Sequence, residues 1–378
     1  MIESALVVLI ASLLAYANGA NDVSKGIATL VGSGVTGYRG AILWGTASTA
    51  LGAVAASVSA GAMMATFGSG LLAADVAPSF PAAIAALAGA ALWVLIATRA
   101  SLPVSTTHAL VGSVVGAAAI AYGAGGVSWH VLGGKVLVPL LVGPLAAFVL
   151  GRLASRSLAR AFTGGGDAAD CICLDARSAP AVAWVGGGSA ALQMMPGLDV
   201  SLEAGNAASC RRAMPAALRL TGDHLHWLSS GAVSFARGLN DAPKIVGLAL
   251  ATALLAPSFW TLGSKGLFIL VSAGIVLGSL AAGRRVTRVL AEEVTPMNPR
   301  EGLAANLVTA ALVGAGAVYG LPMSTTHVSS GGIVGMGAER GSVDWAKVRE
   351  MAAAWVVTLP AAALLGALSC ALARVAAF

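Results

Sequence analysis

The chain has 378 residues, of which 57% are hydrophobic and only 10% charged, with a formal net charge of +6. At a mean hydropathy of +0.85 a soluble globule would lack the polar surface to cover itself, so the composition excludes a soluble domain and indicates an integral membrane protein. The basic excess does not mark a nucleic-acid surface, because its placement along the chain follows membrane topology.

In chain order, MIESALVVLI has no basic leader and runs as an apolar stretch over residues 4–20 into GANDVSK at Gly19 to Lys25, so no cleavable signal peptide is expected. No charged side chain occurs between Arg39 and Asp75, and further apolar segments cover 81–98 and 136–151. LPVSTTH lies between those two, at Leu102 to His108. Arg152, Arg156 and Arg160 then open a polar stretch that reaches His224 and includes Arg211, Arg212 and Arg219, expected in the cytoplasm. Within it, Thr163 to Gly222 carries Cys171, Cys173 and Cys210; a CxC pair with one distant cysteine does not complete a four-ligand metal site, so reduced thiols on a linking loop are expected. Apolar segments resume at 225–255, 266–283 and 351–373, and no Asp, Glu, Lys or Arg falls between Glu301 and Glu339.

Runs of this length without period-two alternation predict helices of about 20 residues rather than a barrel. The fold class is therefore an all-α integral membrane protein with ten to twelve membrane segments. A first transmembrane repeat is expected at 1–160, a central cytoplasmic loop at 161–224 and a second repeat at 225–378. If each half crosses an odd number of times, both termini lie outside and the halves are inverted copies. Arg39, Arg99, Arg284, Arg285 and Arg288 then fall inside, and Lys347 and Arg349 outside.

The duplication is visible in two motifs. GANDVSK returns as GLNDAPK at Gly238 to Lys244, and LPVSTTH returns as LPMSTTH at Leu321 to His327, both displaced by 219 residues (240 − 21 and 324 − 105). The interval from Asn-Asp to Ser-Thr-Thr is accordingly 84 residues in each half (105 − 21 and 324 − 240). An aspartate in a lipid-embedded segment costs about 2.5–3.5 kcal/mol on insertion scales, so Asp22 and Asp241 signal function. The Gly-Asn preceding each can unwind a helix locally. Lys25 and Lys244, one turn on, can neutralise the carboxylates or a nearby anion. Proline before each Ser-Thr-Thr suits the first turn of a helix opening inside the membrane, where unpaired amides, hydroxyls and the helix dipole favour an anion. Small-residue pairs, Gly112 with Gly116 and Gly331 with Gly335, follow these runs and let helices approach closely. His108 and His327 lie three residues after the serines, but no acidic residue is spaced to orient them, so hydrogen bonding within the element is the expected role.

GANDVSKGIATLVGSGV with LPVSTTHALVGSVVGA, repeated as SFARGLNDAPKIVG with LPMSTTHVSSGGIVG, resembles the inorganic phosphate transporter (PiT) family. The resemblance implies an inverted-repeat helical symporter with re-entrant hairpins, a homodimer in the cytoplasmic (inner) membrane, working by alternating access. It implies that Ser105, Thr106, Thr107, Ser324, Thr325 and Thr326 hold phosphate, and that Asn21, Asp22, Asn240 and Asp241 contribute to phosphate and coupling-cation coordination. Na+ or H+ would be the coupling ion, and no cofactor is called for. Pro243 and Arg237 depart from the residues common in the family, the latter standing where a histidine is usual before the glycine. Some relatives carry sulfate; intact aspartates favour phosphate, which still bears protons near neutral pH, over fully deprotonated sulfate. An intramembrane hydrolase built on Ser105 and His108 is the remote alternative.

Overall fold

The computed structural model describes residues 2–162, 171–185, 191–205, 218–256 and 263–376. It divides into two units, one of residues 1–156 with 227–378 and one of 157–226.

The larger unit is helical. Its long elements are α1 (Ile2–Asp22), α2 (Ser24–Gly32), α3 (Tyr38–Ser59), α4 (Phe80–Arg99), α5 (Thr106–Tyr122), α6 (Val138–Phe162), α7 (Gly222–Leu254), α8 (Gly263–Ala282), α9 (Pro299–Val318), α10 (Thr325–Arg340) and α11 (Trp345–Ala376), α6 and α7 running on into the smaller unit. Among the described residues seven helical segments are long and apolar enough to cross a membrane. α7 adds a long helix carrying Arg237, Asp241 and Lys244, and α5 and α10 are shorter.

The 219-residue offset governs the elements as well as the motifs. α4 and α9 share both boundaries under it (80 + 219 = 299, 99 + 219 = 318), and α5 and α10 share their start (106 + 219 = 325). α4 with α5, and α9 with α10, each form a hairpin. The Ser79 amide before α4 donates to the Tyr122 hydroxyl at the end of α5, 2.7 Å away. At the second hairpin Arg340, ending α10, pairs at 2.9 Å with Glu301 in the first turn of α9, and the Asp344 amide donates to the Val294 carbonyl at 2.9 Å. α9 is started by a capping box between Asn298 and Glu301 with Pro299 at the first helical position.

The hairpins open at opposite ends of α11. Lys347 near its start pairs with Glu293 at 3.0 Å, beside the second hairpin's mouth, whereas Arg374 near its end donates to the Ile120 carbonyl at 2.8 Å, at the first hairpin's mouth. This corrects the placement of Lys347. Because the second hairpin returns to the end it entered from, Lys347 lies with Glu293 and the Arg284–Arg288 segment, not across from them.

Each half is packed on the other. A side-chain carbon added at Gly112 or Gly116 of α5 would lie 2.3 or 1.9 Å from the Leu359 or Ala363 carbonyl oxygen of α11, and one at Gly331 or Gly335 of α10 would lie 2.5 or 2.1 Å from the Pro144 or Phe148 carbonyl oxygen of α6. The same exchange brings Gly19 of α1 against Ile275 of α8 and Gly238 of α7 against Thr49 of α3. Where lipid supplies no hydrophobic drive between helices, such close backbone approach carries the association.

The two Asn-Asp motifs differ in their helices: the first marks the break between α1 and α2, where Val23 keeps right-handed helical dihedrals and Ser24 Oγ and Lys25 Nζ both donate to the Asn21 carbonyl, whereas α7 runs unbroken through Asn240, Asp241 and Pro243. The smaller unit holds a three-stranded antiparallel sheet in the order β2-β1-β3, with β1 at Cys171–Val185, β2 at Ala191–Gly205 and β3 at Leu218–Thr221. β3 pairs only with Cys171–Leu174 of β1, so Pro180 falls where β1 has one neighbour and its missing N–H is tolerated. Cys171 and Cys173 lie on β1; Cys210 lies outside the described residues.

Gly116→Val should cost at least about 2 kcal/mol, because the carbonyl it meets is backbone and cannot step aside. Thermal unfolding in detergent should show a clear drop in midpoint, while Gly125→Ala, at a glycine with nothing within 4 Å, should match the parent.

Candidate functional site

Both hairpin tips are built alike. α4 ends with the Leu102 amide donating to the Ala97 carbonyl at 2.9 Å, and α9 with Leu321 to Gly316 at 2.8 Å, the same pair displaced by 219. Such a six-to-one closure needs a left-handed residue just past the helix, supplied by Gly320 at φ 67° in one tip and by Ser101 at φ 59° in the other. The next helix then starts on a serine. Ser105 Oγ accepts the His108 amide at 3.2 Å and Ser324 Oγ accepts the His327 amide at 3.3 Å, leaving the earlier first-turn amides without an intrahelical acceptor.

The tips meet. Thr107 Oγ1 donates to the Met323 carbonyl at 3.3 Å, and Thr326 Oγ1 donates to the Val104 carbonyl at 2.7 Å, the same bond made reciprocally between halves. The imidazoles of His108 and His327 pack edge to face at 4.5 Å between centroids, and His327 packs on Trp355. The Nδ1 atoms of both histidines are buried without a partner, so the expected hydrogen bonding within each element is not seen there. Ser105 bonds the backbone of His108 and not its ring, so no serine–histidine nucleophile is assembled.

The aspartates come from the helices flanking the tips. Asp22 receives Lys25 Nζ on Oδ1 at 2.8 Å, and Thr106 Oγ1 and Asn18 Nδ2 on Oδ2, both at 2.7 Å. Asp241 receives Lys244 Nζ at 3.2 Å and Asn240 Nδ2 at 2.9 Å on Oδ1, while its Oδ2 has only longer contacts, to Thr325 Oγ1 at 3.5 Å and Asn18 Nδ2 at 3.4 Å. The 84-residue interval thus reappears as the separation between each carboxylate and the hairpin threonine that donates to it.

Asn21 and Asn240 act as scaffolding. Asn21 donates to Thr98 Oγ1 and the Leu102 carbonyl and accepts the Val104 amide; Asn240 donates to the Met323 carbonyl and accepts the Met323 amide. Lys244 also crosses between halves, donating to Thr107 Oγ1 at 2.7 Å and to the Met323 carbonyl at 2.9 Å. Every site residue read from the sequence is buried in this one cluster.

Two neighbours carried no role in the sequence reading. Asn18 bridges Asp22, Thr106 and Asp241, and Arg237 occupies the matching place in the second half (18 + 219 = 237). Their signal is positional, one turn before each aspartate, but Asn against Arg leaves no shared letter. A cavity lined by Tyr16, Thr98, Ser101, Arg99, Arg284, Arg285 and Arg288 reaches the first tip at Thr98, and its arginines supply an anion-attracting field.

Paired hairpins meeting tip to tip over buried Asp–Lys pairs, in a bundle of membrane-length helices, are the architecture of a solute transporter and not of an enzyme. Residues 18–366 match the family model of the phosphate transporter family. The chain is 28% identical to a "Probable low-affinity inorganic phosphate transporter" of Rhizobium meliloti (strain 1021), covering 96% of this chain and 93% of that one. A protein of the same description from Mycobacterium leprae (strain TN) is also 28% identical, over 96% of this chain and 76% of its own. The solved structure of "The sodium-dependent phosphate transporter" shares the fold at a TM-score of 0.76 and 20% identity, over 99% of this chain and all of that one. The chain belongs to the phosphate transporter family.

The tips offer a direct test of their turn geometry. A left-handed conformation costs a non-glycine residue about 1–2 kcal/mol, so Ser101→Gly should leave the melting midpoint level or raise it. Gly320→Ser should lower it, having also to displace the Ala62 side chain 2.8 Å from the added carbon.

Proposed function

We propose that this protein is a secondary active transporter that imports inorganic phosphate across the cytoplasmic membrane by cation symport, its inverted halves (1–160 and 225–378, joined by a cytoplasmic segment at 161–224) alternating access to one central site. The observation that carries the reading is the reciprocal meeting of two serine-capped helix starts over two aspartate–lysine pairs. A tetrahedral oxyanion between the tips would take donors from Ser105, Thr106 and Thr107 on one side and Ser324, Thr325 and Thr326 on the other. Hairpins opening at opposite ends of α11 support the inversion, since a shift in how each packs on its partner half would expose the site to one face or the other. The arginine cavity at the Arg284 end suits the cytoplasmic side, where basic residues concentrate.

Asp241 is the carboxylate with capacity to spare. Its Oδ2, held only by contacts of 3.4–3.5 Å, suits the acceptor for a proton on phosphate that sulfate lacks. Each aspartate already faces its own lysine, so cations are needed less to offset the carboxylates than to bring in a dianion's own charge. Na+ would take oxygen ligands from Asn21, Asp22, Asn240 and Asp241, and H+ would take a carboxylate. The family resemblance supports a homodimer.

Labelled phosphate uptake into proteoliposomes, with sodium and pH gradients imposed separately, tests this. Uptake should be driven by one of the two gradients and should fall at least tenfold in Asp22→Asn and in Asp241→Asn; parental uptake in both variants would refute the mechanism. Excess unlabelled sulfate should compete weakly, and full competition would move the assignment to a sulfate permease. Ser105→Gly, which keeps most of the capping stability that Ser105→Ala loses at about 1 kcal/mol, should lose uptake as Ser105→Ala does if the hydroxyl touches the anion.

A further inference from the structure

Arg237 is fully buried on α7, one turn before Asp241, yet Nε, Nη1 and Nη2 all lack a hydrogen-bond partner. Asp22, Asp241 and Lys25 are charges that act on it, but no ion pair joins it to either aspartate, each of which is engaged by a lysine. Arginine is always charged and presents five N–H donors in a rigid fork, and a buried charge with no partner is among the costlier features a fold can carry. The residue in the matching place of the first half, Asn18, bonds both aspartates and the hairpin threonine Thr106, so the repeat positions Arg237 toward the same central space. Asn18 itself keeps one buried acceptor, Oδ1, without a partner; Nδ2 must face the Asp22 carboxylate, which only accepts, so the amide orientation is fixed.

We propose that Arg237 is a direct ligand of the transported oxyanion, its guanidinium fork closing on two oxygens of a tetrahedral dianion held between the tips. The proposal rests on the oxyanion-transport reading above and gives that site a charged, bidentate donor besides its hydroxyls and amides. In the central cluster the buried side chains are two carboxylates, Asp22 and Asp241, against three cations, Lys25, Lys244 and Arg237, so by formal count the ligand-free site carries one positive charge that an entering anion meets. The preference follows from fork geometry: phosphate and arsenate present the paired oxygens it matches, whereas a monovalent halide does not.

The test uses the full-length protein in detergent and in proteoliposomes, with inorganic phosphate and sulfate as probes, comparing the parent with Arg237→Gln and Arg237→Lys. Phosphate should raise the parent's melting midpoint in a dose-dependent way. Arg237→Gln should melt at or above the parent without anion, because an unpaired buried charge has been removed, should lose the anion-induced shift, and should raise the KM for phosphate at least tenfold. Arg237→Lys, which keeps the charge but not the fork, should recover part of that loss. A parental KM and anion shift in Arg237→Gln would overturn the proposal and leave phosphate transport standing. A ligand-free Arg237→Gln protein that melts well below the parent would also overturn it, by showing a structural role. A parent that responds to sulfate alone, with that response lost in Arg237→Gln, would uphold the arginine's role while refuting the phosphate reading; a parent that responds to neither anion overturns both.

Discussion

Two aspartate–lysine pairs, each one helical turn long and each buried, are the constraint around which the structure is arranged. A carboxylate in lipid must be met by donors within reach, and a turn of helix brings a lysine to it at no cost in loop length. That pairing leaves the second carboxylate oxygen to be satisfied from elsewhere. In both halves the donor is a threonine at the start of a helix that begins inside the bundle. The hairpins therefore have to penetrate to the depth of the aspartates, and their exposed backbone ends have to be buried in protein rather than in lipid.

Reciprocity follows. The third hydroxyl of each tip bonds the carbonyl just before the serine of the other tip, so neither hairpin is complete alone. The glycine contacts extend the exchange outward, with helices of one half lying on helices of the other. Two-fold exchange of equivalent contacts is what a self-complementary interface produces between subunits; here it operates within one chain.

Most of this was legible because the duplication repeats rare letters. In an apolar chain, Asn-Asp, Lys and Ser-Thr-Thr stand out, and two copies at one offset identify the cluster, the hairpin starts and even the carboxylate-to-threonine spacing. What escaped reading has physical reasons. Glycine and asparagine permit unwinding but do not compel it: the helix breaks after Asp22 in the first half and runs on through Asp241 in the second. The topology of Lys347 turned on whether a hairpin crosses or returns, which composition does not encode. The strands of the smaller unit lie in a segment whose Gly, Ser, Asp and Arg content reads as loop. Asn18 and Arg237 share a place but no chemistry, so only the geometry of Asn18 reveals what the position faces.

The swapped packing also sets an order of events in synthesis. The groove at Gly112 and Gly116 is filled by α11, which follows every other described helix in sequence. At about 5–20 residues per second, α5 leaves the ribosome roughly ten seconds or more before its partner exists. During that interval its serine-capped start has no Met323 carbonyl to bond and no opposing tip. The full polar cluster, with its reciprocal threonine bonds, is therefore assembled only when the second half arrives.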